Sequence, residues 1–284
     1  MTSAGSSTDD ELLRAVESGD DAALSALLER HAGAVYRFGL KMCGNPADAQ
    51  DVVQETLLAA AQGLRTFRGD ASLSTWLYTV ARSFCVKKRR TSKFAPRALE
   101  SLEDNPALAQ VAATSPGPER MAQDRELTQV LEEQLGKLEP SHREVLLLRD
   151  VEGFTAPEVA SILGVSVDAV KSRLHRARAQ LRQQLEPFFP AQEQPQGQAV
   201  RTDCPEIVSV FSRYLEGDIG AAECDAMQGH VAGCKRCDAA CESLRHSLAL
   251  CQAAPRAEIP PEVKAMVKAA LRTLTSKKGP GPKT

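Results

Sequence analysis

Residues 155–185 read TAPEVASILGVSVDAVKSRLHRARAQLRQQL, and this stretch decides the fold of the middle of the chain. Thr155-Ala156-Pro157-Glu158 has the form of a capping box, with proline in the first turn where its missing N–H leaves no bond unmade. Gly164 is the residue favoured just past a helix end, and Ser166 can cap the helix that follows, predicted over Val167 to Leu185. The apolar positions Val170, Leu174, Ala177 and Leu181 recur at helical spacing. Lys171, His175, Arg178 and Arg182 form a basic row beside that seam, flanked by Arg173 and Arg176. A shorter helix, His142 to Asp150, follows Leu138-Glu139-Pro140-Ser141. Short helix, glycine turn and long basic helix together predict a helix-turn-helix. Its second helix suits the major groove, with residues from Ser166 onward near base edges and the later arginines near phosphates.

Upstream, residues 9–92 also read as helices. Glu11 to Val16 opens one, and Ala23 to Leu40 carries apolar Leu24, Leu27, Leu28, Val35 and Leu40. Asn45-Pro46-Ala47-Asp48 is a helix start, because asparagine caps, proline takes the first helical position and aspartate suits the positive end of the dipole. That helix places Ala49, Val53, Leu57 and Ala60 on one side, with Asp48, Asp51 and Glu55 on another. Phe67-Arg68-Gly69-Asp70 is a turn. The next helix has the stripe Leu73, Leu77, Val80, Phe84 and ends on Lys87-Lys88-Arg89-Arg90.

Composition is that of a water-exposed helical protein of two or three units: 284 residues, 43% hydrophobic, 25% charged, only 4% aromatic. The net charge of −2 conceals segregation. Arg82 to Arg97 holds seven Lys/Arg and no acid, and Lys171 to Arg182 holds five with His175. Residues 93–118, with Pro96, Pro106, Pro116 and Pro118, read as a flexible linker, and 189–200 as a second one. The chain shows no apolar stretch of 18 residues and no signal-peptide pattern, so the expectation is a cytoplasmic protein with no membrane segment. In that compartment thiols stay reduced, and clustered cysteines bind metal or sense redox more often than they form structural disulfides.

Six of the eight cysteines fall between residues 204 and 251. Cys204 is followed by His230-x3-Cys234-x2-Cys237, which is metal-ligand spacing, with Cys224, Cys241 and Cys251 as additional thiols. On one unbroken helix His230 and Cys237 would lie about 10 Å apart along the axis. Bonds of about 2.0–2.3 Å to one ion therefore call for a break, and Gly233 stands where it is wanted. The expectation is a helix ending near Gly233, a Cys234-Lys235-Arg236-Cys237 knuckle starting the next, and Cys204 completing a Cys3His set. The surplus thiols suggest a second or exchangeable site. Cys43 and Cys85 read as buried, inert helix cysteines.

Three sets of residues carry a resemblance. They are Asp48 to Thr56 (DAQDVVQET), Phe67 to Tyr78 (FRGDASLSTWLY) and the helix-turn-helix. Over residues 11–186 the chain resembles the extracytoplasmic-function (ECF) sigma factors of bacterial RNA polymerase. The resemblance implies an all-α chain, with region 2 at 9–92 binding polymerase and the −10 element, and region 4 at 119–188 reading the −35 element. It implies that Asp48, Asp51, Gln54 and Glu55 dock on core polymerase. It assigns Phe67, Arg68, Trp76, Arg82, Lys87 and Lys88 to the −10 neighbourhood, although Trp76 lies beside the apolar stripe and reads as core sooner than as a base-stacking ring. Ser166, Lys171, Arg173, His175, Arg176 and Arg178 become the −35 contacts. It also implies that the chain does no chemistry itself.

Cys204 to Cys251, with Tyr214-Leu215-Glu216-Gly217-Asp218, resembles the zinc-binding anti-sigma module. A sigma factor ending in such a helical domain, here 201–254, looks like the CorE-like group, in which the domain makes activity metal-dependent. Residues 255–284 read as a last helix and a disordered basic tail. CorE-like copper responders end in Cys-x-Cys; Cys251-Gln252-Ala253 lacks the second thiol, which favours zinc or cadmium over copper. The expected partners are core polymerase and promoter DNA, with no small-molecule substrate. Two alternatives stay open: a sigma factor whose thiols release metal on oxidation, and a stand-alone helix-turn-helix repressor, which would leave residues 11–92 without a task.

Overall fold

The structure, a computed structural model, describes residues 8–92, 129–189, 204–253 and 259–276. Among them every long element is a helix. In chain order these are α1 (Asp9–Glu17), α2 (Asp21–Cys43), α3 (Pro46–Gly63), α4 (Leu73–Ser92), α5 (129–137), α6 (Pro140–Leu146), α7 (Ala156–Leu163), α8 (Val167–Leu185), α9 (Ile207–Leu215), α10 (Ala221–Gly233), α11 (Lys235–Ala253) and α12 (Pro261–Ser276). The predicted linker at 93–118, nearly all of the one at 189–200 and the tail beyond 276 lie outside the described residues. The chain divides into two compact units, Met1–Ala112 with Arg256–Thr284, and Ala113–Pro255.

In the first unit α1, α2 and α3 each start on a side chain that satisfies an orphan N–H. Thr8 and Glu11 form a reciprocal capping box, Asp20 accepts from Ala22 and Ala23, and Asn45 accepts from the Asp48 N–H at 2.8 Å. Gly44, at φ +78°, turns the chain from α2 into that cap. The core between α2, α3 and α4 is built from Leu27, Leu28, Phe38, Leu57, Leu64 and Leu77, with Phe38 and Tyr78 rings 5.1 Å apart. Helix α12 belongs to this unit. It packs on α2 and α3 through Val263, Val267 and Leu271, all at most 3% exposed. Just ahead of it, Ile259 lies so close over Gly33 that a Cβ there would come within 3.1 Å of it.

In the second unit Glu139 caps α6, which runs into a π-turn at Leu147–Val151. Thr155 and Glu158 form the capping box of α7, Gly164 ends that helix at φ +66°, and Ser166 caps α8 through the Ala169 N–H. The seam Val170, Leu174, Ala177, Leu181 and Leu185 is buried, with α8 packed on α6 and α7. Helices α9–α11 enclose a core of Ile207, Phe211, Met227, Cys234, Cys237, Cys241, Leu244 and Leu248. The described part of the Cys-rich stretch, residues 204–253, lies in the unit Ala113–Pro255. Helices α9 and α11 pack on α8, so it shares one unit with the helix-turn-helix. Among the described residues no helix is long and apolar enough to cross a membrane.

Candidate functional site

Helix α10 ends at Gly233, Cys234 is extended (φ −129°, ψ 96°), and α11 begins at Lys235. Cys234 itself carries the break. Gly233 has no positive φ and a Cβ on it would meet nothing within 4 Å, so the glycine is not what the geometry requires. The corner folds His230 back toward the first turn of α11, and Cys204 arrives from the segment ahead of α9. The donor atoms of Cys204, His230, Cys234 and Cys237 all lie within 4.8 Å of one another. His230 Nε2 is 3.1 Å from Cys237 Sγ, and the Cys204 and Cys234 sulfurs are 3.9 Å apart. A tetrahedral ion with metal–sulfur bonds of about 2.3 Å needs sulfurs about 3.8 Å apart, so the set fits a structural zinc-type ion.

Electrostatics distinguish the two buried thiols. Backbone N–H groups at Cys237 and Arg236, in the first turn of α11, hold the Cys234 thiol below its ordinary range. Burial pushes Cys237 up to about 12. The corner thus favours thiolate first at Cys234.

The three surplus thiols do not join this cluster, and among the described residues no second group of three or more such donors gathers. Cys241 faces the apolar core one turn beyond Cys237, where burial raises it to about 11. Cys251 is buried near the end of α11, and Cys224 Sγ accepts from Gln228 Nε2. Among the described residues the expected second site is not gathered: Cys241 and Cys251 share the buried face of α11 with Cys237 but stand about 6 and 21 Å further along its axis, and Cys224 stands about 9 Å before His230 on α10. Cys43 and Cys85 are not isolated from one another, since contact with Cys85 lowers the Cys43 thiol.

The basic face of α8 is only partly free. Arg173 is half-buried and Arg176 exposed, and Ser166 is exposed at the helix start. Lys171 Nζ lies 2.6 Å from Asp218 Oδ1, and His175 Nδ1 lies 2.8 Å from Ser212 Oγ. Arg178 departs most from expectation, at only 3% exposed. Its Nε and Nη2 donate to the two Asp150 oxygens at 2.9 and 2.6 Å, Nη2 also reaches Glu216 Oε1 at 2.7 Å, and Nη1 donates to Ser212. In this arrangement the guanidinium is buried and held by protein partners, so it does not face solvent. Arg149, on the π-turn, donates to Glu216 Oε2 at 2.9 Å. Asp150, Ser212, Glu216 and Asp218 are thus the residues that sequence reading left without a role at this face. The one available signal was the pair of acids flanking Gly217 directly after an amphipathic helix.

In the first unit Asp51, Gln54 and Glu55 are exposed on α3, opposite buried Ala49, Val53, Leu57 and Ala60, with Asp48 half-buried. Lys88 reaches this row, pairing with Asp51 and lying 3.8 Å from Asp48. Arg68 and Lys87 are exposed and Arg82 half-buried. The Trp76 ring fits against Gly63, where a Cβ would come within 2.8 Å of it, and lies 5.6 Å from Phe67.

Comparison with known proteins assigns these units. Residues 27–94 match the family "Sigma-70 region 2", 128–181 match "Sigma-70, region 4", and 204–237 match a family described as "Putative zinc-finger". The chain is 36% identical to the RNA polymerase sigma factor CnrH of Cupriavidus metallidurans over 58% of its own length and 87% of that protein. It is 34% identical to the ECF sigma factor SigL of Mycobacterium tuberculosis, over 57% of this chain and 88% of that one. With the ECF sigma factor SigE of Mycolicibacterium smegmatis it shares 33% identity, over 59% of this chain and 65% of that one. The chain belongs to the ECF RNA polymerase sigma factors, and carries a zinc-finger-like region behind the two sigma regions. As such it is a non-enzymatic initiation factor that directs RNA polymerase. The region 2 match gives residues 27–94 a task that a stand-alone repressor would leave them without.

Proposed function

We propose that this sigma factor is controlled by metal binding to its own C-terminal Cys-rich module, with Cys204, His230, Cys234 and Cys237 as ligands and Zn²⁺ or Cd²⁺ as the ion. The observation that carries the reading is the convergence of three thiols and one imidazole within the compact unit that also holds the helix-turn-helix. Such a donor set suits soft and borderline ions over hard ones, and the missing terminal Cys-x-Cys ranks copper behind zinc and cadmium. A bound ion would supply a cross-link between the segment entering α9 and the α10–α11 corner. In this reading Asp48, Asp51, Gln54 and Glu55 dock core polymerase in the cytoplasm. Arg68, Trp76, Arg82, Lys87 and Lys88 serve the −10 element, and Ser166, Lys171, Arg173, His175 and Arg176 the −35 element. Control requires that the open and closed arrangements of the module differ in metal affinity.

The test is transcription by core polymerase reconstituted with the full chain, on a promoter selected with that holoenzyme, after chelation and across Zn²⁺, Cd²⁺ and Cu titrations. Output from the native protein is expected to change several-fold with zinc or cadmium, and output from Cys234→Ser and Cys237→Ser to stay flat. Equal output from chelated and loaded native protein sinks the reading. A second reading keeps these residues but makes oxidation the signal. It rests on the 3.9 Å approach of Cys204 and Cys234, close enough for a disulfide to form as metal leaves. Metal content under thiol and under peroxide separates the two.

A further inference from the structure

Lys171, His175 and Arg178 lie along one face of α8, at the i, i+4, i+7 spacing that places side chains in a row. In a region 4 unit this is a face on which DNA phosphates are sought. Here the row is already occupied, and by groups of the chemistry that a DNA backbone would offer. Asp218 sits on Lys171, the Ser212 hydroxyl on His175, and Glu216 on Arg178, with Glu216 also holding Arg149 from the π-turn. Glu216 is 3% exposed in its side chain and Asp218 22%, so neither is a loosely solvated surface acid. Gly217, at φ +71°, makes the tight turn between them. All three groups come from the end of α9 and the turn behind it.

We propose that the segment Ser212–Asp218 is a built-in competitor for promoter DNA: its carboxylates stand where backbone phosphates would, so that the helix-turn-helix in this arrangement is closed to the −35 element. Opening requires the end of α9 to leave α8. The inference rests on the sigma-factor assignment and deepens the metal-control reading. The segment carrying Cys204 leads directly into α9, and Ile207 and Phe211 of α9 share a core with Cys234 and Cys237. The donor cluster and the competing acids therefore lie at opposite ends of one nine-residue helix, Ile207–Leu215.

The experiment uses the full chain, the Asp218→Asn variant and the Glu216→Gln/Asp218→Asn double variant, each loaded with Zn²⁺ and each treated with chelator. Binding to a mixed-sequence 30-base-pair duplex is followed by fluorescence anisotropy across a salt series, and hydrogen exchange is read at the α9 amides. Asp218 is partly exposed, so its single variant tests the idea even if the double variant folds poorly. Every further phosphate that the protein neutralises steepens the slope of log affinity against log salt by about 0.9. The single variant is expected to neutralise about one more phosphate than the native chain, through Lys171. The double variant is expected to neutralise about two more, with Arg149 released as well, to bind at least tenfold tighter, and to exchange faster at α9. Unchanged slope and affinity in both variants overturn the proposal, whether or not α9 exchange rises. The comparison is made within each metal state, so it stands even where chelation alone changes nothing, which is the outcome that would sink metal control instead.

Discussion

At the scale of single residues, one contact shows how a polar network sets a charge state. Ser212 Oγ accepts from Arg178 Nη1 at 3.1 Å and lies 2.8 Å from His175 Nδ1. A neutral imidazole lets Nδ1 accept the Ser212 O–H; a protonated one would present a second donor there. His175 is held below its ordinary range, first by burial and then by the positive charge of Arg178. Arg213 acts in the same direction, while Glu216 and Asp218 pull the other way and do not prevail. A base with a depressed folded-state pKa binds its proton more readily when the contact is open. The α8–α9 contact is therefore at full strength above the unfolded value of about 6.5 and weakens as pH falls below it toward the folded value. Exchange protection of the α9 amides, corrected for intrinsic rates, should drop between pH 7.5 and 5.5. His175→Gln should remove that step; an identical profile in the variant rules out His175 as its source.

At the scale of elements, what was legible in the sequence was local. Thr155 with Glu158, Gly164 and Ser166 are signals complete within a few residues, and α7, the turn and α8 form where they indicate. Asn45-Pro46 starts α3 for the same reason, and the spacing from His230 to Cys237 announces three of the four gathered donors. What escaped was decided by partners far along the chain. A basic row reads the same whether it meets phosphates or protein acids. Asp150, Glu216 and Asp218, which occupy the row here, stand 28 to 67 residues from their cations. The π-turn that aims Asp150 has no sequence signature, and the surplus cysteines share the density of the ligands but stand further along their helices than the corner where the four donors meet. Helix α12 is the largest such case. It follows the Cys-rich module in sequence, yet packs on α2 and α3. Burying a Val or Leu side chain is worth roughly 1.5–3 kcal/mol, so Val263, Val267 and Leu271 make α12 part of the region 2 core and not an appendage. Leu271→Ala should cost about 2–5 kcal/mol of that unit's stability. Ending the chain at Pro255 should lower it further by uncovering Gly33 and Tyr36. A truncated protein with the native denaturation midpoint for this unit would remove α12 from the core.

At the scale of the whole molecule, two units with different contents should respond differently to the same ion. All four gathered donors lie in the unit Ala113–Pro255, while Trp76, the single tryptophan of the chain, lies in the other. An ion that binds the folded unit alone stabilises it by RT ln(1 + [L]/Kd), about 2.7 kcal/mol at a hundredfold excess over Kd. The gain belongs to the unit whose segments the ligands join: Cys204 ahead of α9, His230 on α10, and Cys234 and Cys237 at the start of α11. Tryptophan fluorescence reports only the region 2 unit, whereas far-ultraviolet circular dichroism reports helices of both. Chelating a zinc-loaded sample should therefore lower the dichroism transition attributable to α5–α11 and leave the Trp76 transition in place. Cys237→Ser should abolish the difference between chelated and loaded protein without moving the Trp76 midpoint. A chelator that shifts both transitions together would show that the stability conferred by the ion is shared across the chain. One that shifts neither would show that the gathered thiols and imidazole hold no stabilising ion.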